Sequence, residues 1–283
     1  MSFPFNVEIL EYLRKRGITV EKILEGYLHG KHRSPFFGHS MEFKDLRVYE
    51  KGDDIKFIDW RLYGRTEKYF VRKFEEETNI RVFIVLDISK SMSIDGKGSM
   101  ARGLAAIFAF LSYLSRDSFG LFLFNSGEVF FVPPAMTYYN LQNFLKCLDT
   151  FDDTGKTDFL NAMLDLEKRV KKRSLIVVIS DFLFDLNNVR KFIRFYKSKG
   201  NEIMALPVIS SRELKELTPG FLLKDAEFGD ELVGSKEVVE DYARMLREHY
   251  VDLKELFTTY GIKFKEFLTD KDLSVQIREF LEL

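Results

Sequence analysis

The sequence predicts an α/β protein with a mostly parallel β-sheet flanked by helices. From residue 81 onward, short apolar runs alternate with segments of helical periodicity, which is the pattern of parallel sheets joined by crossover helices. The runs at 82–86 and 175–179 are apolar at every position, as expected of strands that are buried on both faces. Residues 98–115 are apolar around most of a helical circumference, so we expect this helix to be heavily buried.

The composition is that of a folded protein without a strong overall charge. With 46% hydrophobic and 31% charged residues, the chain of 283 residues can bury a sizeable core and keep a solvated surface. The formal net charge of -1 gives no global field that would attract nucleic acid or an anionic membrane. We therefore expect neither as a partner.

Cysteine usage and hydropathy predict the compartment. The single cysteine, Cys147, excludes an internal disulfide framework and fits a reducing compartment, and we expect it to be a core residue. The N-terminus lacks the apolar segment of a signal peptide. The apolar helix at 100–114 contains Arg102 and is shorter than the roughly 20 residues of a membrane span. We therefore expect a cytoplasmic protein without membrane insertion.

Residues 1–78 are predicted to form an N-terminal extension of helices followed by a small β-rich subdomain. Apolar residues recur at helical spacing within 6–28. Beyond them, short aromatic-rich runs are separated by turn-like segments at 51–54 and 63–65, as in short paired strands. We expect Trp60 to anchor this subdomain on the sheet, with a second interaction surface in the same block as the alternative.

Residues 79–283 are predicted to form the main α/β domain, including a C-terminal helical tail. The turn-like segment 125–127 favours a hairpin whose second strand lies antiparallel at the sheet edge. The predicted strands are 82–86, 119–124, 128–132, 175–179, 203–208 and 263–267. The predicted helices are 98–115, 138–149, 158–170, 187–199, 236–260 and 272–281.

Oxygen-bearing side chains follow two of the predicted buried strands. Asp87, Ser89 and Ser91 stand at every second position after the strand at 82–86. Asp181 follows the strand at 175–179, and neighbouring parallel strands would bring both carboxylates to one sheet edge, where open α/β sheets bind ligands. Thr157 lies in a turn-like segment before a helix and is well placed to reach the same edge from its loop.

Two carboxylates and three hydroxyls make an all-oxygen set. Such a set suits Mg²⁺, Mn²⁺ or Ca²⁺ and not a soft or imidazole-preferring ion. Two alternatives remain open at this point. An Asp-x-Ser-x-Ser turn after a strand also caps helices, and spacing alone does not bring Thr157 to the other four residues.

The five positions together resemble the metal-ion-dependent adhesion site of von Willebrand factor A domains. The strand phrase at 117–124 also resembles the second strand of these domains. The blocks at 47–60 and 73–77 are similar to a bacterial and archaeal family catalogued only as a domain of unknown function, whose members often accompany MoxR-type AAA+ ATPases. The resemblance implies a von Willebrand A-like, Rossmann-like sheet over about residues 30–270.

What the resemblance implies is a binding fold and not an enzyme. Ser89, Ser91 and Thr157 would be direct ligands of a divalent cation, with Mg²⁺ as the first choice. Asp87 and Asp181 would ligate the ion or orient its waters. An open coordination position would accept a Glu or Asp from a protein partner, and the implied partner is a MoxR-type ATPase or a protein that it remodels.

The sequence offers one enzymatic and one nucleotide-binding alternative to this binding role. In a metal-dependent phosphohydrolase, Asp87 would be the nucleophile, but such phosphatases pair two aspartates two positions apart, and Ser89 occupies the second position here. A phosphate-binding loop at 96–99 is disfavoured because Gly98 separates Lys97 from the following serine. We expect a flexible loop there.

Overall fold

The structure is a computed structural model that describes residues 42–50, 58–75, 80–171, 173–215, 222–224, 231–233 and 236–282. The helices predicted within 6–28 and the turn predicted at 51–54 lie outside the described residues. The domain boundary near residue 78 stays a prediction.

The described N-terminal part contains two paired strands and a short helix. Strand β1 (Glu42–Val48) pairs antiparallel with β2 (Phe70–Glu75), in agreement with the predicted strand pairing. Helix α1 (Trp60–Thr66) lies between them and replaces the turn predicted at 63–65. The helix forms because the Asp59 carboxylate accepts a hydrogen bond of 3.0 Å from the amide of Leu62, which caps its first turn.

The expectation that Trp60 is a buried anchor is wrong. The Trp60 side chain is 58% exposed. It lies in the first turn of α1, where its ring meets the Tyr63 ring edge-on at a centroid distance of 6.1 Å. Its aromatic partner is therefore a neighbour on the same helix and not the central sheet.

The remaining elements alternate between strands and helices. The strands are β3 (Arg81–Asp87), β4 (Ser118–Phe124), β5 (Glu128–Ala135), β6 (Leu175–Ser180), β7 (Glu202–Ile209), β8 (Leu222–Lys224), β9 (Glu231–Val233), β10 (Lys263–Phe264) and β11 (Phe267–Leu268). The helices are α2 (Lys97–Leu114), α3 (Tyr138–Leu148), α4 (Phe159–Arg169), α5 (Leu186–Ser198), α6 (Ser211–Lys215), α7 (Lys236–Thr259) and α8 (Leu273–Glu282). A 3₁₀ helix, Lys90–Gly96, connects β3 to α2.

The central sheet confirms the predicted α/β fold class. Within the described part of the chain it has seven strands in the order β10-β7-β6-β3-β4-β5, with β11 also paired to β7. Every pairing is parallel except that of β5 with β4, which is the predicted antiparallel edge. The strand predicted at 263–267 is divided into β10 and β11, and prediction missed α6 and the β8–β9 hairpin.

Both faces of the sheet are buried, which explains the unbroken apolar runs. Val82, Ile84 and Leu86 of β3 belong to the hydrophobic cluster on one face, which also contains residues of α2, α3 and α8. Phe83 and Val85 belong to the cluster on the other face, which contains residues of α4, α5 and α7. Burial on both faces removes the polar positions that an exposed sheet face would show.

The sequence predicts that helix α2 is heavily buried, and the structure confirms this. Its residues from Leu104 to Leu111 are all buried. The helix begins directly after Gly96, whose φ of 77° lies in the left-handed region that glycine adopts without strain. The flexible loop predicted at 96–99 is therefore wrong, because Lys97 and Gly98 are buried residues of the first helical turn.

No helix among the described residues is both long enough and apolar enough to cross a membrane.

Arg102 of α2 holds the loop that precedes α4. Its guanidinium binds both carboxylate oxygens of Asp153, at 2.8 and 2.9 Å. It also donates to the carbonyl oxygens of Leu148 and Phe151 at 2.8 and 2.7 Å. Gly98 makes room for this contact, because a Cβ at that position would lie 2.0 Å from an Asp153 carboxylate oxygen.

We expect Gly98→Ala to destabilise the protein by about 2 kcal/mol, because the new methyl group would push Asp153 away from Arg102 and break charge-assisted hydrogen bonds. Urea unfolding followed by circular dichroism measures this difference. The control is Gly64→Ala, where an added Cβ meets nothing within 4 Å. A helical alanine there should leave stability unchanged or raise it. Equal stability of Gly98→Ala and the wild type would contradict the role of Gly98.

Candidate functional site

Parallel pairing of β3 with β6 brings two of the predicted acidic residues to one edge of the sheet. Leu86 pairs with Ile179, so the residues that follow them leave the sheet side by side. The Ser180 hydroxyl donates a hydrogen bond of 2.7 Å to Asp87. Asp87 and Asp181 are each 1% exposed. Ser180 was not among the predicted site residues, although its position next to Asp181 at a strand end was a usable signal.

The loop after β3 places the two predicted serine ligands beside Asp87. The amide of Ser89 donates to the other Asp87 carboxylate oxygen at 2.8 Å. The hydroxyl oxygens of Ser89 and Ser91 lie 3.1 Å apart. The helix-capping alternative is wrong: the Ser89 side chain makes no capping bond, and the residue before α2 is Gly96. Ser89 therefore contacts Asp87, and the Ser91 hydroxyl contacts that of Ser89.

Backbone hydrogen bonds hold the loop that contains Thr157 against the same edge. The amide of Thr154 donates to the carbonyl of Ile88 at 2.8 Å, and the amide of Lys90 donates to the carbonyl of Gly155 at 3.0 Å. The amide of Asp158 donates to the carbonyl of Asn125, directly after β4, at 3.0 Å. These bonds lie on both sides of Thr157, which is half-buried. The structure thus brings the Thr157 loop to the loop of Ser89 and Ser91.

A buried lysine completes the polar cluster. The Lys97 ammonium lies 3.0 Å from an Asp181 carboxylate oxygen and 3.1 and 3.3 Å from the two Glu213 oxygens. The Lys97 side chain is 0% exposed. Prediction missed both Lys97 and Glu213. Lysine is rarely buried, and the predicted helix began one residue later, at 98, so the sequence carried no signal for this position.

The surroundings stabilise the anionic forms of the carboxyl groups at this edge only in part. Burial and the neighbouring charge of Asp181 raise the pKa of Asp87 to about 7, although hydrogen bonds from Ser89 and Ser180 act in the opposite direction. Burial also raises the pKa of Glu213, with the Lys97 charge opposing it. Burial lowers the pKa of Lys97, but the charges of Asp181 and Glu213 outweigh burial and raise it.

The residues present fit a small divalent cation. Asp87 is a buried carboxylate beside a second carboxylate, and a cation between such groups would relieve their repulsion. The nearby hydroxyls of Ser89 and Ser91 offer the hard oxygen ligands that Mg²⁺ accepts together with water. In the described residues there is no cluster of three or more His, Cys, Asp or Glu side chains that could hold a metal without such hydroxyls.

Two contacts fix the backbone that follows Asp181. Phe182 has a φ of 56°, a left-handed conformation that is unusual for a large side chain. The Tyr250 hydroxyl donates to the carbonyl of Asp181 at 3.1 Å, and the His249 ring contacts the carbonyl of Phe182 at 2.8 Å. Helix α7 therefore stabilises the turn that carries Asp181, because it pairs the backbone carbonyl oxygens of Asp181 and Phe182.

Several proteins are similar to this chain in sequence or in structure. Uncharacterized proteins of Mycobacterium bovis and Mycobacterium tuberculosis are 26% identical to it over 279 residues, which is 95% of this chain and 87% of each relative. The conserved hypothetical protein BatB from Bacteroides thetaiotaomicron is 17% identical, with a TM-score of 0.47 over 72% of this chain and 96% of BatB. The VWA domain of SpRpn10 is 13% identical, with a TM-score of 0.39 over 71% of this chain and 94% of that domain.

The family resemblance predicted from the blocks at 47–60 and 73–77 is confirmed. The model of the family described as "Protein of unknown function DUF58" matches residues 45–253, which is well over half of the chain. This chain is a member of that family.

Proposed function

We propose that this protein is a metal-dependent protein-interaction module whose site holds a divalent cation, Mg²⁺ as the first choice. The residues of the site are Asp87, Ser89, Ser91, Thr157 and Asp181. The observation that carries the proposal is the buried pair Asp87 and Asp181 at neighbouring strand ends, with two hydroxyls beside it. A buried acidic pair next to neutral oxygen ligands is a cation site in its chemistry.

Binding of a partner follows from the charge of this ligand set. Hydroxyl ligands add no charge, so a dication held by them keeps part of its positive charge and attracts a further carboxylate. A protein partner that presents an Asp or Glu side chain would supply it. On the family resemblance, we propose a MoxR-type AAA+ ATPase, or a protein that it remodels, as that partner.

We expect isothermal titration calorimetry to show Mg²⁺ binding to the wild type and a loss of at least about tenfold in affinity for Asp87→Ala, because one of two anionic groups is removed. Asp87→Asn keeps the shape of the side chain and should lose affinity as well. The control is Asp252→Ala, which removes an exposed carboxylate of α7. Equal Mg²⁺ affinity of the wild type and both Asp87 variants would rule out this metal site.

Partner binding should depend on both the metal and the acidic pair. We expect an immobilised wild-type chain to retain a purified MoxR-type ATPase in Mg²⁺ and to release it when EDTA is added. Asp87→Ala should fail to retain the ATPase in either buffer, whereas Asp252→Ala should behave as the wild type. Retention that is insensitive to both EDTA and Asp87→Ala would show that the interaction does not use this site.

The same variants separate a binding module from the phosphohydrolase alternative. We expect no hydrolysis of p-nitrophenyl phosphate by the wild type in Mg²⁺ or Mn²⁺, because the residue two positions after Asp87 is Ser89 and not a second acid. Turnover by the wild type that disappears in Asp87→Ala would instead make this site catalytic.

A further inference from the structure

Lys97 occupies an electrostatically unfavourable position that only its acidic partners explain. It is the first residue of α2, where the positive end of the helix dipole opposes a positive side chain. Its side chain is also fully buried, which is costly for a charged group without partners. Asp181, directly after β6, and Glu213, on the helix α6 that follows β7, provide this compensation.

The hydrogen bonds of Asp181 place Lys97 in direct competition with any metal at this carboxylate. One Asp181 oxygen accepts the Lys97 ammonium at 3.0 Å, and the other accepts the amide of Leu183 at 3.3 Å. The oxygen facing Lys97 receives the stronger and charged interaction. A divalent cation that binds Asp181, directly or through water, therefore weakens or replaces the contact between Asp181 and Lys97.

Glu213 is a second acidic partner that Lys97 contacts at the same time as Asp181. Both of its carboxylate oxygens lie within 3.3 Å of the ammonium. Glu213 lies on α6, and this helix begins directly after Ser210. The Ser210 hydroxyl donates to Asp95 of the 3₁₀ helix at 2.8 Å. Because this bond ties the start of α6 to the segment that leads into α2, Glu213 can keep the ammonium without Asp181.

We propose that Lys97 is a built-in competing cation that balances Asp181 in the absence of a metal, and that it gives up Asp181 and keeps only Glu213 as its acidic partner when a divalent cation binds. This inference rests on the metal site proposed above. Lys97 would lower the affinity for the metal, so that the site fills firmly only where a partner carboxylate adds its own charge. Glu213 keeps the displaced ammonium paired, and the exchange leaves no buried charge without a partner.

The test is Mg²⁺ titration calorimetry on the double variant Lys97→Met/Glu213→Gln beside the wild type. The double variant removes one charge of each sign, so the net charge near the site is unchanged. Neither Lys97 nor Glu213 is left behind as a charge without its partner, and Asp181 alone loses the competing ammonium. We expect its Kd for Mg²⁺ to be at least about tenfold lower than that of the wild type, the order expected for removing one charge interaction from a partly screened site. The single variant Lys97→Met should bind Mg²⁺ at least as tightly as the double variant does.

The matched control is Lys90→Met. Lys90 is an exposed lysine between Ser89 and Ser91, so its charge is close to the site but screened by solvent. We expect its removal to change the Kd by no more than about twofold. If Lys90→Met and the double variant lowered the Kd for Mg²⁺ by a similar factor, that result would contradict specific competition by Lys97.

The remaining outcomes separate this inference from the proposed function. Mg²⁺ binding by the wild type with an equal or higher Kd in the double variant would overturn the role of Lys97 and leave the metal site intact. Mg²⁺ binding by the double variant and not by the wild type would support the inference, because Lys97 would then exclude Mg²⁺ from the site completely. Failure of the wild type and of both Lys97 variants to bind Mg²⁺ would overturn the metal site and this inference together.

Discussion

The parallel pairing of β3 with β6 is the constraint on which the candidate site depends. The register that aligns Leu86 with Ile179 forces Asp87 and Asp181 out of the sheet at the same edge. Since both strands are buried on both faces, the two carboxylates leave the sheet in a region that water hardly reaches. The fold therefore brings like charges together where solvent screens them poorly, and the surrounding residues must compensate for this repulsion.

Helix α2 supplies much of this compensation. Its first residue, Lys97, balances Asp181 and Glu213, and Arg102 one turn later clamps Asp153. Gly98 lies between them and makes room for the Asp153 carboxylate. The cations at the start of this otherwise apolar helix thus contact two of the segments around the site: the turn after β6 and the loop that carries Thr157. Apolar burial of α2 fixes where these cations lie, and so the core and the site are not independent.

Much of the main domain was predictable because its strands and helices carry strong local patterns. The apolar runs that became β3 and β6, the periodic helices and the turn before β5 each identify an element within a few residues. The convergence of Asp87 with Asp181 followed from the same logic, since parallel neighbours end at one edge. The Thr157 loop could be placed only by the structure, because backbone hydrogen bonds to Ile88 and Lys90 carry no side-chain signal in the sequence.

Prediction failed where structure depends on a few long-range or local polar contacts. Lys97 and Glu213 are separated by 116 positions in the sequence, and no periodicity connects them. Helix α6 is only 5 residues long, too short for a hydrophobic pattern to indicate it. Helix α1 is capped by Asp59, a local polar contact, and includes Gly64, which had favoured a turn. Because Trp60 became part of that helix, its large apolar surface did not mark a buried position.

We propose that the acidic pair and the hydroxyls after β3 form a site for a divalent cation. The most direct measurement is anomalous X-ray diffraction from crystals grown with Mn²⁺, which stands in for Mg²⁺ and scatters anomalously. We predict a manganese peak within bonding distance of the hydroxyl oxygens of Ser89 and Ser91, with the Lys97 ammonium withdrawn from Asp181 and still paired with Glu213. No peak at this edge of the sheet, with Lys97 still on Asp181 at saturating Mn²⁺, would contradict it.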